Sequence, residues 1–133
     1  MKKTNIISII LVVALAMVTL YGCGSSKPVD KSLTVHVREW WEMGSSEEDP
    51  VTYTPLKKGD EVYNGFSSVI KVKSVNEDKI VLAIDGILVE PEDDGTIDMS
   101  KEPLKSITLK SGESIKLVSL SMGAGVKLLI EFE

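Results

Sequence analysis

Few side chains in this 133-residue sequence are suited to chemistry, and they are scattered. There is one cysteine, Cys23, and one histidine, His36. A histidine base needs a nucleophile to deprotonate and an acid to orient it. His36 sits inside the alternating run Leu33–Trp41, beside Arg38 on the polar side. The chain has no Gly-x-Ser-x-Gly elbow, no His-rich metal motif and no phosphate loop. His36 therefore reads as a surface histidine, and the chain as one without catalytic activity.

A sharper chemical signal is the acidic segment Glu90–Asp98, EPEDDGTID. It resembles the calcium loop of EF-hand proteins when Gly95 is set at the turn glycine. Glu90, Glu92 and Asp94 then fall on the alternating ligand positions, Thr96 offers its carbonyl, and Asp98 takes the ninth position. Hard oxygen ligands at that spacing suit calcium. Lys101, however, stands where a bidentate Glu should close the loop, with Glu102 one residue late, and the segment follows strand pattern rather than a helix. The main expectation is a solvated acidic loop and no cofactor, with a calcium site at Glu90, Glu92, Asp94 and Asp98 as the second reading.

Cys23 has a different context. Lys2 and Lys3 precede an apolar run from Ile6 to Leu20, and Leu20-Tyr21-Gly22-Cys23 leads into Gly24-Ser25-Ser26. Charge, apolar stretch and small residues in that order make a signal peptide, residues 1–22. The run is short for a spanning helix, which needs about 20 apolar residues. With cysteine at the cut site the segment resembles the lipobox of bacterial membrane lipoproteins, although Tyr21 stands where a small residue is usual. That resemblance implies a diacylglycerol on the Cys23 thiol and a cell-membrane location on the extracytoplasmic face. The Cys-Gly-Ser-Ser start is more similar to Gram-positive lipoproteins. Two acyl chains suffice for stable attachment where one does not. Residues 23–32 then form a lipidated flexible tether, rich in small residues and broken by Pro28.

Cutting after residue 22 removes Lys2 and Lys3 from the 15 basic residues and none of the 20 acids, so the net charge moves from −5 to −7. An acidic domain without a basic, aromatic-laced stripe does not bind nucleic acid. The remaining 111 residues suit a single domain, assigned to 33–133, and no disulfide is available to it.

That domain reads as all-β. Apolar residues alternate with polar ones in Leu33–Val37, Ile70–Lys73, Ile80–Ile84, Ile107–Lys110, Ile115–Leu117 and Val126–Glu133, the period of half-buried strands. Turn chemistry separates them. Asn76-Glu77-Asp78 and Asp85-Gly86 are expected to close hairpins, the latter joining Ile80–Ile84 to Ile87–Val89. Met43–Pro55 and Glu90–Pro103 read as two long acidic loops. Seven or eight short strands suggest a small antiparallel β-sandwich, immunoglobulin-like in one version, or a small barrel.

Adjacent strand residues point to opposite faces, so the pair Trp40-Trp41 divides. Trp41 shares the face of Val35 and Val37 and is expected in the core; Trp40 points outward with His36 and Arg38. An outward tryptophan could stack on a sugar or anchor a partner protein, or be covered by the Met43–Pro55 loop. The expected function is a binding module for an envelope protein, glycan or small ligand, using Trp40, Tyr53 and Tyr63. A structural accessory subunit of a membrane-bound assembly is the alternative. An exposed apolar patch near Trp40 favours recognition; a smooth charged surface favours the accessory role.

Overall fold

The computed structural model describes residues 27–133, so the expected signal peptide and Cys23 lie outside the described residues. Ten strands follow in order: β1 Leu33–Trp41, β2 Gly44–Glu47, β3 Val51–Tyr53, β4 Glu61–Gly65, β5 Ser68–Val75, β6 Lys79–Asp85, β7 Leu88–Val89, β8 Ser106–Lys110, β9 Ser114–Ser119 and β10 Ala124–Phe132. No helix forms among the described residues. The larger sheet runs β2-β1-β10-β9-β7, with β3 also on β1, and the smaller runs β4-β5-β6-β8. Every pairing is antiparallel.

Neither sheet closes on itself, and their apolar faces form one core, so the architecture is a β-sandwich. Leu33, Val35, Leu117, Val126, Leu128, Ile130 and Phe132 come from the larger sheet. Val62, Ile70, Val72, Ile80, Leu82, Ile84, Ile107 and Leu109 face them from the smaller. The alternation of the sequence is what places them: in β10 each even-numbered residue from Val126 to Phe132 is buried, while the odd ones face away. Ten strands and this whole core lie between Lys27 and Glu133, so that segment folds as a unit on its own. First and last strands are direct neighbours, from Leu33 opposite Phe132 to Trp41 opposite Ala124. In immunoglobulin domains they belong to different sheets, so this sandwich has another connectivity.

Three local expectations need correction. Met43–Pro55 is not a plain loop: β2 and β3 fold back on β1, β3 along Leu33–Val35 and β2 along Arg38–Trp41. Residues 29–32, assigned to the tether, are tied down. Val29 and Leu56 exchange two backbone hydrogen bonds (2.6 and 2.9 Å), and Ser32 and Glu133 another two (3.3 and 2.9 Å). The hydrogen-bonded structure thus includes Val29.

Asp85-Gly86 does not close a hairpin either; it carries the chain from β6 in the smaller sheet to β7 in the larger. The glycine is needed for close approach rather than for a hairpin turn. A Cβ at Gly86 would lie 2.5 Å from Ser68 Cα and 2.6 Å from the Ser67 carbonyl oxygen. The buried Ser68 hydroxyl accepts the Ile87 N–H (3.0 Å) and so stitches the crossover to the β4–β5 turn. That turn is the tight two-residue hairpin, built on Phe66 and Ser67, both at positive φ (44° and 59°). Asn-Gly is the usual signature of such a turn; here Asn64-Gly65 ends β4, and the two turn positions fall on the next residues, Phe66 and Ser67. The Asn76–Asp78 hairpin is as expected: Asn76 donates its N–H to the Lys79 carbonyl (3.0 Å) and its side chain accepts from Asp78 and Lys79.

Candidate functional site

The β1–β10 register is unbroken, so the facing of the two tryptophans follows the alternation. Their burial does not. Trp41 lies on the inner side yet is 44% exposed. Along that side of β1 cover fades steadily: Leu33 and Val35 are buried, Val37 and Glu39 half-buried, Trp41 open. The larger sheet therefore runs past the smaller one, and Trp41 is not a core residue.

Trp40, on the outer face, is largely covered. Its cross-strand neighbours are small, Gly125 on β10 and Ser45 on β2. A Cβ at Gly125 would meet the Trp40 ring at 2.7 Å and the hydroxyls of Ser119 and Ser121 more closely still, so the glycine leaves room for the indole. Those two hydroxyls share a hydrogen bond (2.7 Å). Ser119 Oγ also accepts from the Val126 N–H (3.0 Å), and Ser121 donates to the Ala124 carbonyl (2.7 Å). The indole Nε1 is buried and has no acceptor among the described residues. Trp40 is thus packed structure rather than a free recognition surface.

Three of the exposed large apolar side chains, including the two most exposed, group next to it at the end of β1 and on two neighbouring turns. Trp41 ends β1, Met43 (90% exposed) sits in the β1–β2 turn, and Met122 (84% exposed) in the β9–β10 turn. Because Trp41 pairs with both Ala124 and Gly44, the two turns share one end of the sheet. Exposed acids follow closely in sequence: Glu42, Glu47, Glu48 and Asp49. A methionine beside turn-forming residues, in Met43-Gly44 and Ser121-Met122-Gly123, is the signal from which sequence reasoning could have found this tip.

Tyr53 and Tyr63 do not join Trp40. Tyr53 pairs with Leu33 at the opposite end of β1, and both tyrosines pack against the core margin. Burial pushes the Tyr63 hydroxyl up to about 12, helped by the negative charges of Glu39 and Glu48.

The acidic loop is organised around its own groups. Lys101 Nζ pairs with Glu92 Oε2 (2.7 Å) and donates to the Glu90 carbonyl (2.9 Å); that contact with Glu92 raises its pKa. Asp94 accepts from the Thr96 hydroxyl (2.7 Å) and N–H (3.0 Å), and Asp98 likewise from Ser100 (2.6 and 3.0 Å). Both carboxyls are held below the usual range, chiefly by those hydroxyl donors. Glu90, Glu92, Asp94 and Asp98 are not gathered: among the described residues no three His, Cys, Asp or Glu side chains converge to hold a metal.

His36 bonds through Nε2 to Glu131 Oε1 (2.8 Å), diagonally across the β1–β10 ladder. Arg38 pairs with Glu47 on β2. Comparison with family models, curated proteins and solved structures finds no match for this chain.

Two consequences can be measured. Trp41→Ala should lower unfolding free energy by less than about 1 kcal/mol, whereas Trp40→Ala should cost roughly 2–3 kcal/mol, the value of a largely buried aromatic. Trp40→Phe keeps a ring over Gly125 and deletes the orphaned N–H, so it should cost little. Urea melts of the three variants check the order.

The second concerns pH. A tyrosine whose folded pKa lies above its unfolded value of 10 adds stability that is complete below pH 10 and disappears as pH rises toward 12. Tyr63 should resist ionisation, read by absorbance near 295 nm, until about pH 12. Tyr63→Phe should flatten the fall in stability across that window.

Proposed function

We propose that this chain is a lipid-anchored, non-catalytic binding module of the bacterial cell surface that docks an envelope protein through the tip formed by Trp41, Met43 and Met122. The observation that carries the reading is the position of this exposed apolar tip. The N-terminal side of the fold, where a tether from Cys23 would arrive, lies at the Leu33 end of β1. Trp41 ends the same strand, roughly 26 Å away at about 3.3 Å per residue. With Val29 tied to Leu56, the six residues Cys23–Pro28 can reach at most roughly 20 Å. A lipid-held domain would then present its tip away from its own anchor.

Large exposed apolar side chains grouped on one end mark an interaction surface, and tryptophan and methionine are enriched in interface cores. The acids beside the tip disfavour anionic lipid and favour a partner whose apolar surface is bordered by Lys or Arg.

In intact cells, a photo-crosslinking amino acid at Met43 should give one discrete protein adduct, and the same label at Ser106 on the smaller sheet should not. Trp41→Ala with Met122→Ser should abolish the adduct. Cys23→Ser should remove fatty-acid labelling and leave unprocessed precursor. An adduct pattern indifferent to the tip substitutions would end the docking reading, and equal labelling of wild type and Cys23→Ser would end the anchor.

A further inference from the structure

We propose that the cleft between the outer face of the larger sheet and the Glu90–Glu102 loop binds a small amphipathic organic anion, an apolar body carrying one carboxylate, sulfonate or phosphate. The cleft is open on one side and has a volume of about 460 Å³, inside the range typical of ligand sites. Its floor comes from β1, β10 and β9, and Pro91 and Gly95 of the loop line it from above.

The floor is a checkerboard. Lys127 stands opposite Val118, and Leu129 opposite Lys116. The two lysines are therefore diagonal cross-strand neighbours, roughly 7–8 Å apart at their Cα atoms, a span that one anionic group can bridge between flexible ammonium arms. Val118 is only 3% exposed although it faces away from the main core. With half-buried Leu129 it supplies an apolar bed beside the charges.

Charge bookkeeping at the cleft gives the ligand's sign. His36 is already bonded to Glu131, and Arg38 to Glu47. Lys116 and Lys127 make no ion pair among the described residues. The carboxylates of the overhanging loop remain charged, but none of them is among the groups that line the cleft. The loop's lining residues, Pro91 and Gly95, are neutral. The domain's net negative charge acts over longer distances, where salt screens it. Two unpaired ammonium groups next to buried apolar carbon favour an anion with a greasy body over a sugar or a cation.

The test uses residues 27–133 and two dyes of one skeleton, anionic 8-anilinonaphthalene-1-sulfonate and uncharged N-phenyl-1-naphthylamine. In amide-resolved NMR titrations the anionic dye should shift Arg38, Gly95, Lys116–Val118 and Lys127–Leu129. It should bind at least tenfold more tightly there than the uncharged dye. Lys116→Ala with Lys127→Ala should remove that preference and leave uncharged-dye binding as it was. Shifts confined to Trp41, Met43 and Met122, or no shifts at millimolar dye, would overturn the cleft assignment. Equal binding of both dyes in wild type would overturn the anion assignment on its own, whatever the variant does.

Discussion

The antiparallel ladder between β1 and β10 is the constraint on which the rest of the molecule depends. It joins the two ends of the domain over nine residue pairs without a bulge. Because the register never slips, Leu33, Val35, Val126, Leu128, Ile130 and Phe132 all reach the core from one face. On the other face the same register aligns His36 with Glu131 and seats Trp40 over Gly125. Closing a contact between the two ends of the domain is entropically costly, and the burial of these six side chains offsets it, each contributing about 1.5–3 kcal/mol. The sandwich is closed in this way without a disulfide among the described residues.

The two surfaces proposed for recognition both arise where that ladder meets an irregularity. At its far end the larger sheet outruns the smaller, so Trp41 has no opposing layer and the turns bearing Met43 and Met122 project beside it. In its middle the ladder is flanked by β9, which brings Lys116 and Val118 alongside Lys127 and Leu129. The loop after β7 returns over these residues and is held in shape by Lys101, Asp94 and Asp98. The acidic loop is held by the chain's own cation and its own hydroxyl donors.

What the sequence revealed was local and periodic. The alternation in Leu33–Val37 and Val126–Phe132 told which residues face the core, because strand geometry alone decides it. It assigned the facing of Trp40 and Trp41 but not their burial, since burial depends on how far the opposing sheet extends. Asp85-Gly86 misled for a related reason. Gly serves both tight turns and close backbone approach, and only the neighbouring Ser67 and Ser68 reveal which is required. β2 and β3 were hidden because Gly44–Glu47 is wholly exposed and Val51–Tyr53 mostly so, leaving no apolar rhythm to read. Lys116 and Lys127 are unremarkable as residues; their pairing across β9 and β10 exists only in the register.

The ladder's primacy is best tested by native-state hydrogen exchange resolved at each amide. Amides that open only with the whole domain exchange most slowly and at a common free energy. The account predicts that Val35, Val37, Leu128 and Ile130 belong to that slowest group, while Glu42–Gly44 and Ser121–Gly123 at the tip exchange quickly. Faster exchange along β1 and β10 than along β5 and β6 would contradict it, because the fold would then rest on the smaller sheet.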